Sequence, residues 1–143
     1  MKYMLIMRAT DAAIEASKDV DFDEIINAMG RYNESLIKAG VLLGGEGLAE
    51  AEEGFVVDFD SETPLVTDGP YGETKELFNG FWLIQTSTKE EASEWAKRCP
   101  LGPGNKLEVR RVHENEDFDQ DNEYVQKEQL WREELGTDRP VAG

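Results

Sequence analysis

"KYMLIMR", residues 2–8, is the stretch on which the reading of the fold turns. In an extended chain Tyr3, Leu5 and Met7 project to one side, and Met4 and Ile6 to the other. A strand that is apolar on both faces needs a cover on each. "NGFWLIQT", residues 79–86, repeats the property through Phe81, Trp82, Leu83 and Ile84. Two strands of this kind predict a sheet buried on both sides.

Working outward, Phe22, Ile25, Ile26, Met29, Tyr32, Leu36 and Ile37 recur at helical spacing, and Gly40 supplies a stop. The residues between Arg8 and Phe22 read as an acidic, alanine-containing linker. "VLLGGEGL" (41–48) and "GFVVDFD" (54–60) read as a pair of strands. Thr88 and Glu91 form a capping box for a second helix, with Ala92, Trp95, Ala96 and Cys99 inside and Pro100 ending it. "KLEVRRV" (106–112) is the last strand. The order strand, helix, strands, helix, strand predicts an α+β, ferredoxin-like split βαβ domain over residues 1–113. Its two helices cover one face of an antiparallel sheet. The simplest cover for the other face is a second copy of the same sheet, which predicts a homodimer, a dimeric α+β barrel.

Composition limits the function. The 143 residues suit one domain with a sizeable core. With 31 Asp and Glu against 15 Lys and Arg, the net charge is -16. That argues against nucleic acid, whose binding is chiefly cationic neutralisation, and against anionic membrane surfaces. The apolar runs are too short to span a bilayer, and the N-terminal run is too short for a secretory signal. Cys99 is the only cysteine and His113 the only histidine. An internal disulfide is thereby excluded, a Cys/His zinc site is disfavoured, and a reducing cytoplasm fits. No metal and no cofactor are expected, since "GGEGL" lacks the spacing of a phosphate-binding loop and the acidic clusters read as solvated surface.

One loop carries more than a turn requires. In "TDGPYGETKE" (67–76), Asp68, Gly69 and Pro70 are turn chemistry, but Glu73, Lys75 and Glu76 follow closely. Two carboxylates flanking an ammonium can position a polar ligand or form exposed ion pairs, and spacing does not separate these. On the catalytic reading Asp68 or Glu73 is the base and Lys75 or an arginine the electrostatic stabiliser. Arg8, Arg110 and Arg111 lie on the first and last strands, which are neighbours in this fold. An arginine facing the inter-sheet space needs a carboxylate from Asp68, Glu73 or Glu76. Arg8, Glu46, Tyr71, Glu76 and Arg110 are accordingly the candidate ligand-binding residues. His113, at a strand end, reads more readily as a surface or packing residue.

"DGPYGETKE" (68–76) resembles the signature of the DGPF branch of the YCII-related proteins, with Tyr71 in place of the motif's Phe. "MKYMLIMR", "YNESLIKAGVLLGGEGL", "NGFWLIQT", "EASEWAKRCP" and "LEVRRV" extend the resemblance over about residues 1–113. It implies a ferredoxin-like, dimeric α+β barrel. The histidine discussed as a base in the YCII type falls at Met29, so that role does not carry over. The branch is also associated with sigma-factor-like regulators, which implies a regulatory protein partner.

From Glu114 the composition shifts to ten acidic residues against Lys127, Arg132 and Arg139, with a helix predicted over 122–135. This acidic extension (114–143) either docks through Trp131 or recognises a basic partner. Two functions follow. One is a lyase- or isomerase-like enzyme that binds a small polar or aromatic metabolite in a cleft rimmed by residues 68–76. The other is a non-catalytic accessory dimer with a regulatory partner.

Overall fold

The computed structural model describes residues 1–69 and 76–143. Four antiparallel strands form its central sheet, in the spatial order β2 (Leu42–Gly47), β5 (Leu77–Gln85), β1 (Lys2–Ala9) and β6 (Asn105–Arg111). Helix α2 (Phe22–Lys38) joins β1 to β2, and β5 lies between those two strands. Helix α3 (Lys89–Lys97) joins β5 to β6 around β1 in the same way. These are two interleaved split βαβ units, the ferredoxin-like arrangement. Within one chain the sheet is open and does not close into a barrel.

Register decides what each face carries. Tyr3 lies opposite Ile84, and Leu5 lies opposite both Trp82 and Val109. Paired residues share a face. These side chains join Tyr32 and Leu36 of α2, Ala92 of α3, Val41 and Leu42 in one core, where Leu5, Leu36 and Ile84 are fully buried. The alternate set, Met4 opposite Leu83 and Ile6 opposite Phe81, lies outside that core cluster and faces away from the helices.

Local chemistry fixes the helix ends. The Asp21 carboxylate accepts from the Asp23 N–H at the start of α2. Gly40, at φ 71°, ends the helix with its N–H bonded to the Ile37 carbonyl. Thr88 Oγ1 accepts from Glu91 N–H, while the Glu91 carboxylate reaches past Thr88 to the Ser87 N–H. Helix α4 (Glu123–Leu135) starts on Asn122, whose side chain accepts from the Tyr124 and Val125 amides.

Two expectations are corrected. Residues 10–20 are not a plain linker: Asp11–Ser17 form a short helix, α1, capped by Thr10, whose hydroxyl accepts from Ala13 N–H. Its three alanines are strong helix formers, and that outweighs the short length. The segments 41–48 and 54–60 do not pair with each other. β2 pairs with β5, while β3 (Phe55–Asp58) forms a separate hairpin with β4 (Leu65–Asp68). β5 is long and two-sided, and it offers β2 a buried partner that β3 cannot.

The C-terminal extension runs past the strand ends. Lys2 N–H donates to the Glu114 carboxylate at 2.9 Å and Lys2 Nζ to Asp138 at 2.7 Å. Val141 N–H then donates to the Leu42 carbonyl at 2.8 Å, at the edge strand β2. Among the described residues no helix is long and apolar enough to cross a membrane.

Candidate functional site

Helices α1 and α2 stand off from β2 and β5 and leave a cleft of about 980 Å3 between them and the sheet. Ile14 of α1, with Ile25, Ile26 and Met29 of α2, forms one wall; Met7, Leu48, Leu77 and Trp82 form the other. The apolar lining belongs to the same helical stripe that builds the core: Met29 packs against the core cluster, and Ile25 and Ile26 lie one turn before it. The volume matches that of small-molecule sites, roughly 300–1,000 Å3.

The Trp82 ring is held in place from two directions. Tyr32 packs edge-on against it, with ring centroids 5.4 Å apart, and the Tyr32 hydroxyl donates to the Trp95 carbonyl at 2.9 Å. Burial pushes the Tyr32 phenol well above its ordinary range, so it stays neutral and keeps donating. The Trp82 indole N–H donates to Asn33 Oδ1 at 2.7 Å. Asn33 also lines the cleft, and with its carbonyl oxygen engaged its amide nitrogen is left as a donor.

The rim is charged. Asp11 and Glu15 come from α1, Glu46 from the end of β2, and Glu50 and Glu52 from the turn that follows. Lys18 is the one cation among the described cleft residues and pairs with Glu15 at 2.8 Å. Glu15 chiefly raises the pKa of that ammonium, and Glu50 and Glu52 add to the effect, so both sides of the mouth act on it.

A second group of charges sits on the face of the sheet away from the helices. Arg8 bonds Glu108 at 2.9 Å and also contacts Glu76 Oε2; Lys106 Nζ bonds Glu76 Oε1 at 2.6 Å. The Glu76 side chain is only 16% exposed, and its Oε2 meets Arg8 as an ion pair without an aligned hydrogen bond. The Lys106 ammonium first, and Arg8 second, hold the Glu76 carboxyl below its ordinary value. Arg110 reaches Glu108 only at 3.9 Å.

The candidate residues are therefore divided among separate places. Arg8 and Glu76 meet in this ion network, with Arg110 at its margin. Glu46 is on the cleft rim. Asp68 ends β4 in the exposed hairpin, where Gly69 N–H bonds the Gly54 carbonyl at 2.8 Å. Tyr71, Glu73 and Lys75 lie outside the described residues. His113 bonds Asp117 at 3.3 Å, packs against Phe118, and is not among the cleft residues. Asp117 is drawn down to about 2 by the Glu114 N–H first and by Arg111 next.

Sequence reasoning did not single out Asp11, Lys18, Asn33, Glu50 and Glu52. Asn33 left a signal, since it lies four residues after Met29 and so shares its side of α2. Met29 itself lines the cleft and brings no titratable group. Among the described residues no group of three or more His, Cys, Asp or Glu is placed to hold a metal ion.

The family model of the YCII-related domain matches residues 1–116. No curated protein matches the chain. A match over that much of the chain shows the family: the chain belongs to the YCII-related family.

Proposed function

We propose that this member of the YCII-related family is a homodimer that binds a small aromatic or apolar metabolite in the cleft between α1, α2 and the sheet. The cleft carries the reading, because it joins a volume fit for such a ligand to an apolar wall and a fixed indole. Leu77 of β5 lines it, and the Asp-Gly-Pro-Tyr motif at residues 68–71 is the mark of the DGPF branch. The dimer reading rests on Met4, Ile6, Phe81 and Leu83, which share the face turned away from α2 and α3. A second sheet laid on that face would bury them and shield the Arg8–Glu76–Lys106 network. The lone, half-buried Cys99 fits a reducing cytoplasm. Chemistry of the lyase or isomerase type would draw its base from the carboxylates at the cleft, among them Glu46.

Native mass spectrometry of freshly purified protein tests both parts together. The expected spectrum is a dimer that retains added small-molecule mass, with Met29→Trp, which fills the cleft, emerging as a dimer of bare mass. A monomer would end the dimer reading. Retained mass that survives Met29→Trp would move the ligand out of the cleft.

A second reading, an accessory dimer with a regulatory protein partner, is favoured by α4. Its Tyr124, Leu130, Trp131 and Leu135 stay exposed on an acidic helix. Under that reading Trp131→Ser with Leu135→Ser leaves the dimer intact and abolishes capture of a protein partner.

A further inference from the structure

We propose that the cleft selects its ligand by charge: it takes a small amine, with an apolar body against Ile25, Met29 and Trp82 and a protonated nitrogen at the mouth. This rests on the ligand-binding reading above and narrows it to a class. Asp11, Glu15, Glu46, Glu50 and Glu52 place five carboxylates on the rim, against one ammonium, Lys18, among the described cleft residues. Fixed charges of one sign around an opening with low-dielectric walls raise the local concentration of the opposite ion and repel ions like themselves. An anionic body of the same shape would leave water to meet that repulsion, and a neutral one would gain nothing from the rim.

Lys18 already shows what the rim favours. It is held by Glu15 at 2.8 Å, and Glu50 and Glu52 from across the mouth favour its charged form. A ligand ammonium would enter the same field in competition with Lys18. The Asn33 amide nitrogen, turned away from the Trp82 indole, is a donor for an acceptor on the ligand body. The apolar wall supplies binding that does not depend on salt, while the rim supplies binding that salt screens.

The test uses three probes with one body: phenethylamine, phenethyl alcohol and phenylacetate, titrated into the full chain and followed by calorimetry and tryptophan fluorescence. Phenethylamine is expected to bind tightest, with an advantage over the alcohol that shrinks as salt rises from about 0.02 to 0.5 M. Glu46→Gln and Glu50→Gln should each weaken the amine about two- to fivefold, the range of an exposed ion pair, and leave the alcohol unchanged. Lys18→Met should tighten the amine by a similar factor, because it removes the competing charge. If the alcohol or phenylacetate binds as well as the amine, the charge selection is wrong and the cleft reading stands. If none of the three binds, both are wrong.

Discussion

Glu76 shows how much one side chain does for the open side of the sheet. It stands at the entrance to β5 and reaches Lys106 on β6 and Arg8 on β1, so one carboxylate ties three strands together. Its folded pKa lies below the ordinary 4.5, so the ionised form stabilises the fold above that value and the contribution is lost as pH falls through the folded pKa. Glu76→Gln should therefore lower the melting temperature at pH 7, and the gap from the native protein should narrow at an acid pH below the ordinary carboxylate value. Thermal scans of both proteins at the two pH values check this, and an unchanged gap at low pH would rule it out. Gly104 is constrained by backbone instead. Its φ is +85°, and an added Cβ would come within 2.8 Å of Ala13 on α1. Gly104→Ala should cost at least about 1–2 kcal/mol in denaturant unfolding, from the left-handed conformation alone. Cys99 has its thiol pushed up to about 12 by burial. It should react with iodoacetamide at pH 8 far more slowly than a free thiol, until denaturant is added.

The elements differ in what holds them. α2 is held by packing: Leu36 on it is fully buried against the sheet, and Leu36→Ala should cost about 2–5 kcal/mol. α4 is held by its ends, through Asn122 at its start and the Lys2–Asp138 bond just beyond its C-terminus. Asn122→Ala should lower helix content at 222 nm modestly, at a cost of about 1 kcal/mol. The β3–β4 hairpin has neither support among the described residues, and Phe55, Phe59 and Val66 on it remain largely exposed. A two-stranded ribbon is marginal alone. Hydrogen exchange should thus open the hairpin and α1 first and β1 and β5 last.

For the whole molecule, the face carrying Met4, Ile6, Phe81 and Leu83 sets the expected assembly. Ile6→Asp places a charge at the centre of that face and should turn a dimer into a folded monomer. Analytical ultracentrifugation beside circular dichroism reads both properties, and an interface of about 800 Å2 per partner is the size to be lost. Loss of the folded signal together with the dimer would mean that the second copy is needed for folding.

The sequence by itself determined the strands that are apolar on both faces, the α2 stripe, the Thr88 cap, the Gly40 stop and the order of the main elements. Each of these is written in local periodicity or in neighbours a few residues apart. It also offered Arg8, Arg110 and Arg111 a carboxylate from Asp68, Glu73 or Glu76 without choosing a pair, and only the fold brings Arg8 to Glu76. Tertiary structure alone decided that β2 pairs with β5 while β3 turns to β4, since pairing is a competition among strands and periodicity ranks none of them. It alone brought Asp11 of α1 and Lys18 just after it across from Glu46, Glu50 and Glu52, which are remote in sequence. A cleft is a gap between elements, and its shape depends on how far α1 and α2 stand from the sheet. No spacing within one element records that distance.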